Sequence, residues 1–277
     1  MSARGIGSRP DLASVAGLVL AVGGILGGLI LEGGRIQDVQ QVTAAMIVLG
    51  GTIGAVMVTT PPKTLKRAIG RLPQVFLEKA MDPEGAIENI LAFATKARRE
   101  GIVSLEQDAE AIGDPFLRKA LNLAVDGTDL QQLRRMMELE IGLIEQRGEA
   151  EAKVFESAGG YAPTIGIIGA VLGLMQVMKN LSNIEEVGRG IAVAFVATVY
   201  GVGSANLFFL PAANKLRARL HQEVQMRELS LEGVVGIVEG LNPKLIRLKL
   251  EGYGPAPAAG DHKSARTPKP VEARAAG

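Results

Sequence analysis

The stretch LASVAGLVLAVGGILGGLIL, residues 12–31, decides the fold class of this 277-residue chain. It contains no ionisable side chain and is as long as a helix must be to cross the hydrocarbon core of a bilayer. No small-residue cleavage pattern closes it, so we interpret it as a transmembrane helix and not as a signal peptide. Three more uncharged apolar stretches follow, at residues 42–58, 161–178 and 191–211. The sequence therefore predicts an all-α membrane protein with four transmembrane helices, called spans one to four.

The composition supports this class and excludes several others. Hydrophobic residues make up 47% of the chain and charged residues 21%, which is too apolar for a disordered protein. The chain has no Cys and two His, which excludes disulfide scaffolds, thiolate metal sites and sites with several His ligands. A net charge of +1 offers no basic field to attract nucleic acid. There is no nucleophile–base set or phosphate loop, so we expect no enzymatic activity, no metal and no cofactor.

Lysine and arginine at the span ends predict the orientation of the chain. They crowd the exits of span two and span four, within residues 63–71 and 215–219, whereas the links 32–41 and 179–190 hold few. Basic flanks stay on the cytoplasmic side of a membrane. We therefore expect both termini, and the segment between spans two and three, to be cytoplasmic.

Apolar and charged segments alternate along the chain and predict its organisation. The segment between spans two and three has apolar residues at helical spacing with charges of both signs between them, which is typical of amphipathic helices. The last residues are rich in Pro, Ala and Gly, which indicates disorder. The predicted divisions are spans one and two in 1–60, a cytoplasmic helical domain in 61–160, spans three and four in 161–213, a cytoplasmic helix in 214–252 and a disordered tail in 253–277.

Glycine recurs at a spacing of four residues within three of the spans. Small residues on one stripe let helix backbones approach closely in lipid. The pattern predicts close helix packing within the chain, and its density also indicates self-association. The pairs are Gly23/Gly27 and Gly24/Gly28 in span one, Gly50/Gly54 in span two and Gly169/Gly173 in span three.

None of the four spans contains Asp, Glu, Lys, Arg or His. Membrane proteins that carry ions generally need an ionisable group within the bilayer. Two interpretations remain open: either the protein conducts no ion, or another chain supplies the carboxylate. Composition alone does not choose between them.

Two prolines near the later spans are candidate functional residues. Pro163 stands where span three is predicted to begin, and the first turn of a helix tolerates proline. Pro211 lies near the end of span four and removes one backbone hydrogen bond. Because the helix is expected to continue through Asn214 and Lys215, Pro211 predicts a kink or hinge.

The stretch KARREGIVSLEQD, residues 96–108, predicts that one helix ends and another begins. Gly101 suits the left-handed position after a helix, and Ser104 begins a capping-box pattern. Arg98 then falls in the last turn of one helix and Glu106 in the first turn of the next, where both charges complement the helix dipoles. From the residues alone, a structural role is the favoured interpretation.

Residues 161–183, YAPTIGIIGAVLGLMQVMKNLSN, followed by residues 190–217, GIAVAFVATVYGVGSANLFFLPAANKLR, resemble spans three and four of the flagellar motor stator A subunits, the MotA/PomA family. The ending LNPKLIRLKLEGY, residues 241–253, fits the same family. The resemblance extends over about residues 10–253. It implies a subunit of the bacterial inner membrane that couples inward ion flow to torque on the flagellar rotor.

The resemblance assigns residues 96–108, which we call the charged turn, to the rotor contact. The torque-generating Arg and Glu of the family match Arg98 and Glu106, and we expect the adjacent Arg99 to share this role. The implied partner is a rotor switch protein of the FliG type. The resemblance therefore favours a functional role for these residues over the structural role that the residues alone favour.

The resemblance also assigns the pore. The pore-lining threonine of span four matches Thr198, and the two family prolines match Pro163 and Pro211. Family members assemble as five A chains around two single-span B chains of the MotB or PomB type, whose intramembrane Asp carries the ion. Sodium-driven members carry a Thr at the position of Ala170, where a methyl group here offers no oxygen ligand, so we expect protons.

Three other classes of membrane protein fit parts of the sequence. An energising subunit of the TolQ/ExbB kind shares the ion-pore pair of spans but usually has three spans, and four are predicted here. A signalling or scaffold protein without ion flux is a second alternative, which a proton-leak measurement with a matching B subunit would distinguish. A membrane enzyme is the third, and no catalytic set in the sequence supports it.

Overall fold

The computed structural model describes residues 8–79 and 81–253, and these divide into two compact units. The membrane unit comprises the described residues of Met1–Asp82 together with Gln131–Arg227. The head unit comprises Pro83–Leu130 and the described residues of Glu228–Gly277. The predicted disordered tail, apart from Tyr253, lies outside the described residues.

Helices make up most of both units. In chain order the elements are β1 (Ser8–Pro10), α1 (Leu12–Leu31), α2 (Val42–Thr59), α3 (Pro62–Arg71), α4 (Pro73–Phe76), β2 (Leu77–Lys79), α5 (Pro83–Glu100), α6 (Glu106–Ala111), α7 (Pro115–Val125), α8 (Leu130–Lys179), α9 (Ile184–Val238) and α10 (Pro243–Glu251). Helices α1, α2, α8 and α9 are each long and apolar enough to cross a membrane. The predicted all-α membrane class with four transmembrane helices is confirmed.

Two of the spanning helices contain a π-helical turn. It occupies Met46–Gly50 within α2 and Ala205–Phe209 within α9. Short 3₁₀ turns at Ile36–Val39 and Ile102–Leu105 lie between helices. The π turns mark places where the regular hydrogen bonds of the helix are locally shifted.

Spans three and four are parts of much longer helices. Helix α8 has 50 residues and α9 has 55, and each combines an apolar half with a charged half without a break. The boundary drawn at residue 160 between a helical domain and span three therefore lies inside α8, and residues 131–160 belong to the membrane unit. Charge patterning changes at this point of the chain, whereas the backbone conformation does not.

A two-stranded antiparallel sheet, which the sequence does not predict, joins the residues before α1 to those after α4. Its register pairs Ser8 with Lys79, Arg9 with Glu78 and Pro10 with Leu77. Strands of three residues are too short to show an alternating pattern.

One buried apolar cluster of the membrane unit is built largely from small side chains. Ala68 of α3 is fully buried, and Phe155 is among the larger members of the same cluster. Small residues let α3, α8 and α9 pack at short distances. The cluster also includes Val56, Val75, Ala152, Val154, Ala158, Ala212, Ala213 and Leu216.

The head unit has its own apolar core. Ile90 of α5, Leu121 of α7 and Val234 of α9 are fully buried, as is Leu250 of α10. A Cβ added to Gly233 would lie 2.7 Å from Ile90 side-chain atoms, so α5 packs tightly on the last part of α9. This packing supports the end of α5, where the charged turn begins.

Candidate functional site: a close helix pair and a charged turn

The spanning parts of α8 and α9 pack backbone against backbone. A Cβ built on Gly173 would lie 2.7 Å from the carbonyl oxygen of Gly190, and one built on Gly201 would lie 2.6 Å from that of Ala162. Real Cβ atoms do not approach carbonyl oxygens so closely, so only glycine fits at these positions. The close packing predicted for the Gly169/Gly173 stripe is confirmed.

Span two packs on this helix pair. A Cβ on Gly169 would lie 3.3 Å from Ile47 of α2, and one on Gly51 would lie 2.8 Å from Ile165 of α8. The Tyr200 hydroxyl of α9 donates a 2.5 Å hydrogen bond to the carbonyl of Val39. Span two thus packs on both span three and span four.

The three predicted pore residues lie on the helix pair. Thr198 of α9 is exposed, and its hydroxyl donates a 3.1 Å hydrogen bond to the carbonyl of Ala194 in the same helix. Ala170 and Pro163 of α8 are half-buried. Within the described chain no polar contact links Thr198 to the other two, so their joint role as a pore wall stays a prediction.

Pro163 does not begin a helix. It lies inside α8, well beyond the helix start at Leu130, so the prediction of a first-turn proline was wrong. Proline removes one helical hydrogen bond, and transmembrane helices tolerate this where nearby groups rebond the backbone. The adjacent Thr164 hydroxyl donates a 2.8 Å hydrogen bond to the carbonyl of Tyr161.

Pro211 lies two residues after the end of the π turn of α9. The N–H of Leu210 donates to the carbonyl of Ala205, and the helix continues past Pro211 through Asn214 and Lys215, as predicted. Both π turns and prolines are places where helices bend. The hinge role of Pro211 stays a prediction, with this π turn as an added physical reason for it.

The charged turn places its predicted residues at two helix ends. Arg98 and Arg99 lie in the last turn of α5, and Glu106 is the first residue of α6. All three side chains are exposed. The predicted placement of Arg98 and Glu106 is confirmed, and their contact with a rotor stays a prediction.

Glycine is required between these helices, although the predicted cap was wrong. Gly101 has φ +84° and ψ +159°, a combination that only glycine adopts readily and that differs from the expected left-handed helical one. Ser104 does not cap α6, because its hydroxyl donates a 2.7 Å hydrogen bond to the Gly101 carbonyl. The following residues form a 3₁₀ turn, which moves the helix start to Glu106.

An ion pair that the sequence analysis missed holds the charged turn together. The Lys96 Nζ lies 2.7 Å from Asp108 Oδ2, and this joins the end of α5 to α6. The hydrogen bond with Asp108 raises the pKa of Lys96. The pair links the two helices that carry Arg98 and Glu106. Its spacing across a turn follows no helical period.

Asp11 ties the start of span one to the helix that leaves span four. Its carboxylate forms ion pairs with Lys215 and, at 2.9 Å, with Arg219, and it accepts a 3.1 Å hydrogen bond from the Ser14 N–H. The hydrogen bond from Lys215 is the main cause that holds the pKa of Asp11 well below its usual range. The start of α1 and the exit of span four therefore lie together at one end of the membrane unit.

Two further ion-pair groups involve the charged half of α8, one with α9 and one with α3. Arg217 of α9 lies 3.1 Å from Glu149 and 2.5 Å from Glu156 of α8, and these bonds raise the pKa of Arg217. Arg71 Nε of α3 lies 2.6 Å from Glu151 Oε2, without an N–H aimed at that oxygen, so the contact is an ion pair and not a directed hydrogen bond. These pairs connect segments far apart in sequence, where periodicity gives no signal.

Helix α1 is attached differently from the other spans. None of its residues is buried, and a groove of about 480 Å³ lies along its first turns, lined by residues of α1, α4 and α9.

Among the described residues, no group of three or more His, Asp or Glu side chains is placed to hold a metal ion.

Comparison with known proteins identifies the family. The motility protein A N-terminal family matches residues 15–101, and the MotA/TolQ/ExbB proton channel family matches residues 108–229. Motility protein A of Bacillus subtilis is 38% identical over 247 residues, which cover 89% of this chain and 92% of that protein. Chemotaxis protein PomA of Vibrio alginolyticus is 33% identical over 88% of this chain and 95% of its own length.

Two solved structures share the fold. The MotAB structure from C. jejuni matches with a TM-score of 0.86 and 32% identity over 90% of this chain and 98% of that chain. The MotAB stator complex of Bacillus subtilis matches with a TM-score of 0.81 and 36% identity over 88% of this chain and 96% of that chain. The chain belongs to the MotA/TolQ/ExbB proton channel family and, within it, to the motility proteins A.

Proposed function

We propose that this chain is the ion-conducting A subunit of a flagellar motor stator, which couples inward proton flow to torque on the rotor. The observation that carries the proposal is a motility protein A fold whose four spans hold no Asp, Glu, Lys, Arg or His. Such spans cannot bind and release a proton themselves, so another chain must supply the carrier. The two similar solved structures are MotAB complexes, which supports a single-span MotB-type companion with an intramembrane Asp.

The close α8–α9 pair is the proposed wall of the pore. The Thr198 hydroxyl donates to its own helix, which leaves its oxygen free to accept a hydrogen bond from water or from a protonated carrier. Ala170 adds no oxygen ligand for a dehydrated sodium ion, which favours protons. Protonation neutralises the companion's carboxylate, so that it can pass apolar walls.

Each proton that crosses supplies about 2.3 kcal/mol per 100 mV of membrane potential. We propose that this energy moves the A chains around the companion and carries the charged turn across the rotor. Arg98, Arg99 and Glu106 then meet opposite charges on a switch protein of the FliG type. Exposed charges steer and align a contact more than they tighten it, which suits one that forms and breaks repeatedly.

The proposed assembly is five copies of the chain around two companions in the bacterial inner membrane, with both termini in the cytoplasm. The Asp11 ion pairs support this orientation, because they join the start of span one to the exit of span four on one side. Basic residues cluster at that same exit, which is the cytoplasmic pattern. Transport, and not an enzymatic reaction, is the proposed work of the chain.

Single charge reversals test the rotor contact. In cells that carry this chain as their A subunit, Arg98→Glu and Glu106→Lys are each expected to lower swimming speed while membrane levels stay normal. Arg135→Glu is the control, because Arg135 is an exposed arginine outside the charged turn. Unchanged swimming in both turn variants, or an equal loss in the control, would contradict the proposed contact.

Two single substitutions in the helix pair test the pore. Thr198→Val and Pro163→Leu are expected to reduce proton flux while the complex still assembles. Thr59→Val is the control, because its hydroxyl also donates to its own helix, at the end of span two. Normal flux in Thr198→Val would remove that residue from the proposed pore.

A further inference from the structure

Helix α3 follows span two directly and carries basic residues without an acidic one. Lys63, Lys66 and Arg67 are three and four residues apart, so they lie on one face of the helix, which we call the cationic face. All three side chains are exposed. The opposite face packs into the core of the membrane unit through the fully buried Ala68. The orientation of α3 therefore turns the cationic face outward.

The cationic face is unlike the basic residues that follow span four. Lys215, Arg217 and Arg219 are each paired with a carboxylate of the membrane unit. Within the described part of the chain, the side chains of the cationic face have no hydrogen bond or ion pair. Three positive charges therefore remain unneutralised beside the end of span two.

The position of α3 brings these charges to the membrane surface. Span two ends at Thr59, and Lys63 follows within one helical turn of the break at Pro61. Long basic side chains beside a span reach the headgroup layer. Ile69 on the same helix is 58% exposed, and an exposed isoleucine beside a basic face is typical of a helix at a membrane interface.

We propose that the cationic face of α3 binds anionic phospholipid headgroups. The attraction of a basic side chain to an anionic membrane falls off within a Debye length, so only a segment this close to a span benefits from it. The bound headgroups would neutralise the charges that the chain leaves unpaired. They would also hold the end of span two, and the α3 surface of the membrane unit, against the bilayer.

Native mass spectrometry of the full chain in neutral detergent tests this proposal. Phosphatidylglycerol and phosphatidylcholine are titrated separately, and the tightest dissociation constant for each is compared. Each basic side chain near a membrane surface contributes about a five-fold preference for anionic lipid. The variant Lys63→Gln/Lys66→Gln/Arg67→Gln is therefore expected to lose on the order of 100-fold of the preference for phosphatidylglycerol.

A matched variant controls for the loss of charge alone. Arg135→Gln/Arg147→Gln/Lys244→Gln removes three exposed positive charges that are not beside a span and is expected to keep the preference. Equal losses in the two triple variants would overturn the proposal, as would a wild-type chain without any preference. Competition by inorganic phosphate as strong as that by phosphatidylglycerol would show a soluble-anion site and overturn the lipid assignment.

The single variants keep the test decisive if the triple variant inserts poorly. Lys63→Gln, Lys66→Gln and Arg67→Gln are each expected to lose about five-fold of the preference. No loss in any of the three would overturn the proposal. Because lipid binding is measured without swimming or proton flux, its failure is separate from a failure of the proposed stator function.

Discussion

Span one and the α8–α9 pair contain glycine at the same spacing, yet the two regions use it differently. Gly173 and Gly201 touch the backbone of the facing helix, whereas a Cβ added to Gly23 or Gly27 would meet no neighbouring side chain or helix within 4 Å. Helix α1 buries no residue, and Asp11 at its start and the β1–β2 pair join it to the rest of the membrane unit. Glycine spacing therefore predicts that a helix can be approached closely, but not which helix approaches it.

The largest expected effect comes from placing a large side chain in the close contact between α8 and α9. Gly201→Leu would place a Cβ 2.6 Å from the Ala162 carbonyl oxygen, which cannot move without shifting α8. We expect it to lower the free energy of unfolding by about 3 kcal/mol or more. Gly23→Leu, in open space, is expected to change it by less than about 0.5 kcal/mol. Thermal unfolding in detergent measures both, and equal losses would remove the distinction between the two regions.

The polar attachment of span one is the next largest effect. Asp11→Asn removes the charge that pairs with Lys215 and Arg219 and leaves two partly buried cations without a carboxylate. We expect a loss of about 2 kcal/mol in the free energy of unfolding, less than for a fully buried pair because Lys215 is 34% exposed. A variant as stable as the wild type would show that span one is held by other contacts.

The same attachment predicts a dependence on pH. The folded protein holds the pKa of Asp11 below its ordinary range, so its carboxylate stabilises the fold at all pH values above about 4. This stabilisation is lost as the pH falls from about 4 toward the lower folded pKa. The gap in unfolding temperature between wild type and Asp11→Asn should be constant from about pH 7 to about pH 5 and should shrink below about pH 4. A gap that widens in acid would contradict the assignment.

A smaller effect sharpens the comparison within the head unit. Gly101 is required by its positive φ, whereas Gly113 has neither a positive φ nor a near neighbour. Gly101→Ala is expected to lower the free energy of unfolding by about 1–2 kcal/mol, and Gly113→Ala by less. Chemical unfolding of the two variants measures the difference. Similar losses would show that the backbone conformation at Gly101 is not what the turn requires.

The smallest effect concerns the ion pair of the charged turn. Lys96 and Asp108 are both 36% exposed, so solvent screens their attraction. Lys96→Met is expected to leave the free energy of unfolding nearly unchanged. A larger loss, measured by the same unfolding assay, would mean that the pair organises more of the head unit than this one turn.

Much of this fold follows from the sequence because the bilayer imposes simple rules. Uncharged stretches of sufficient length predict the four spans, and a glycine between amphipathic segments predicts the helix ends that carry Arg98 and Glu106. The sequence predicts a helix start at Pro163 because the chain becomes apolar there, although the helix itself begins at Leu130. The predicted cap at Ser104 was wrong because the Ser104 hydroxyl donates its hydrogen bond to the Gly101 carbonyl.

The tertiary ion pairs could not be predicted in the same way. Asp11 and Arg219 are far apart in the chain, and so are Arg71 and Glu151. Each of these residues alone looks like an ordinary charged residue near a span end. Only the packing of the helices brings the partners together, and a single sequence carries no signal for such pairs.

Proton flux into sealed vesicles tests the central claim most directly, namely that this chain forms a pore wall but supplies no proton carrier. The full chain is reconstituted alone, with a MotB-type companion, and with a companion whose intramembrane Asp is replaced by Asn. We predict flux only with the intact companion, because none of the four spans holds an Asp, Glu, Lys, Arg or His. Proton flux through the chain alone, or undiminished flux with the Asn companion, would contradict the account.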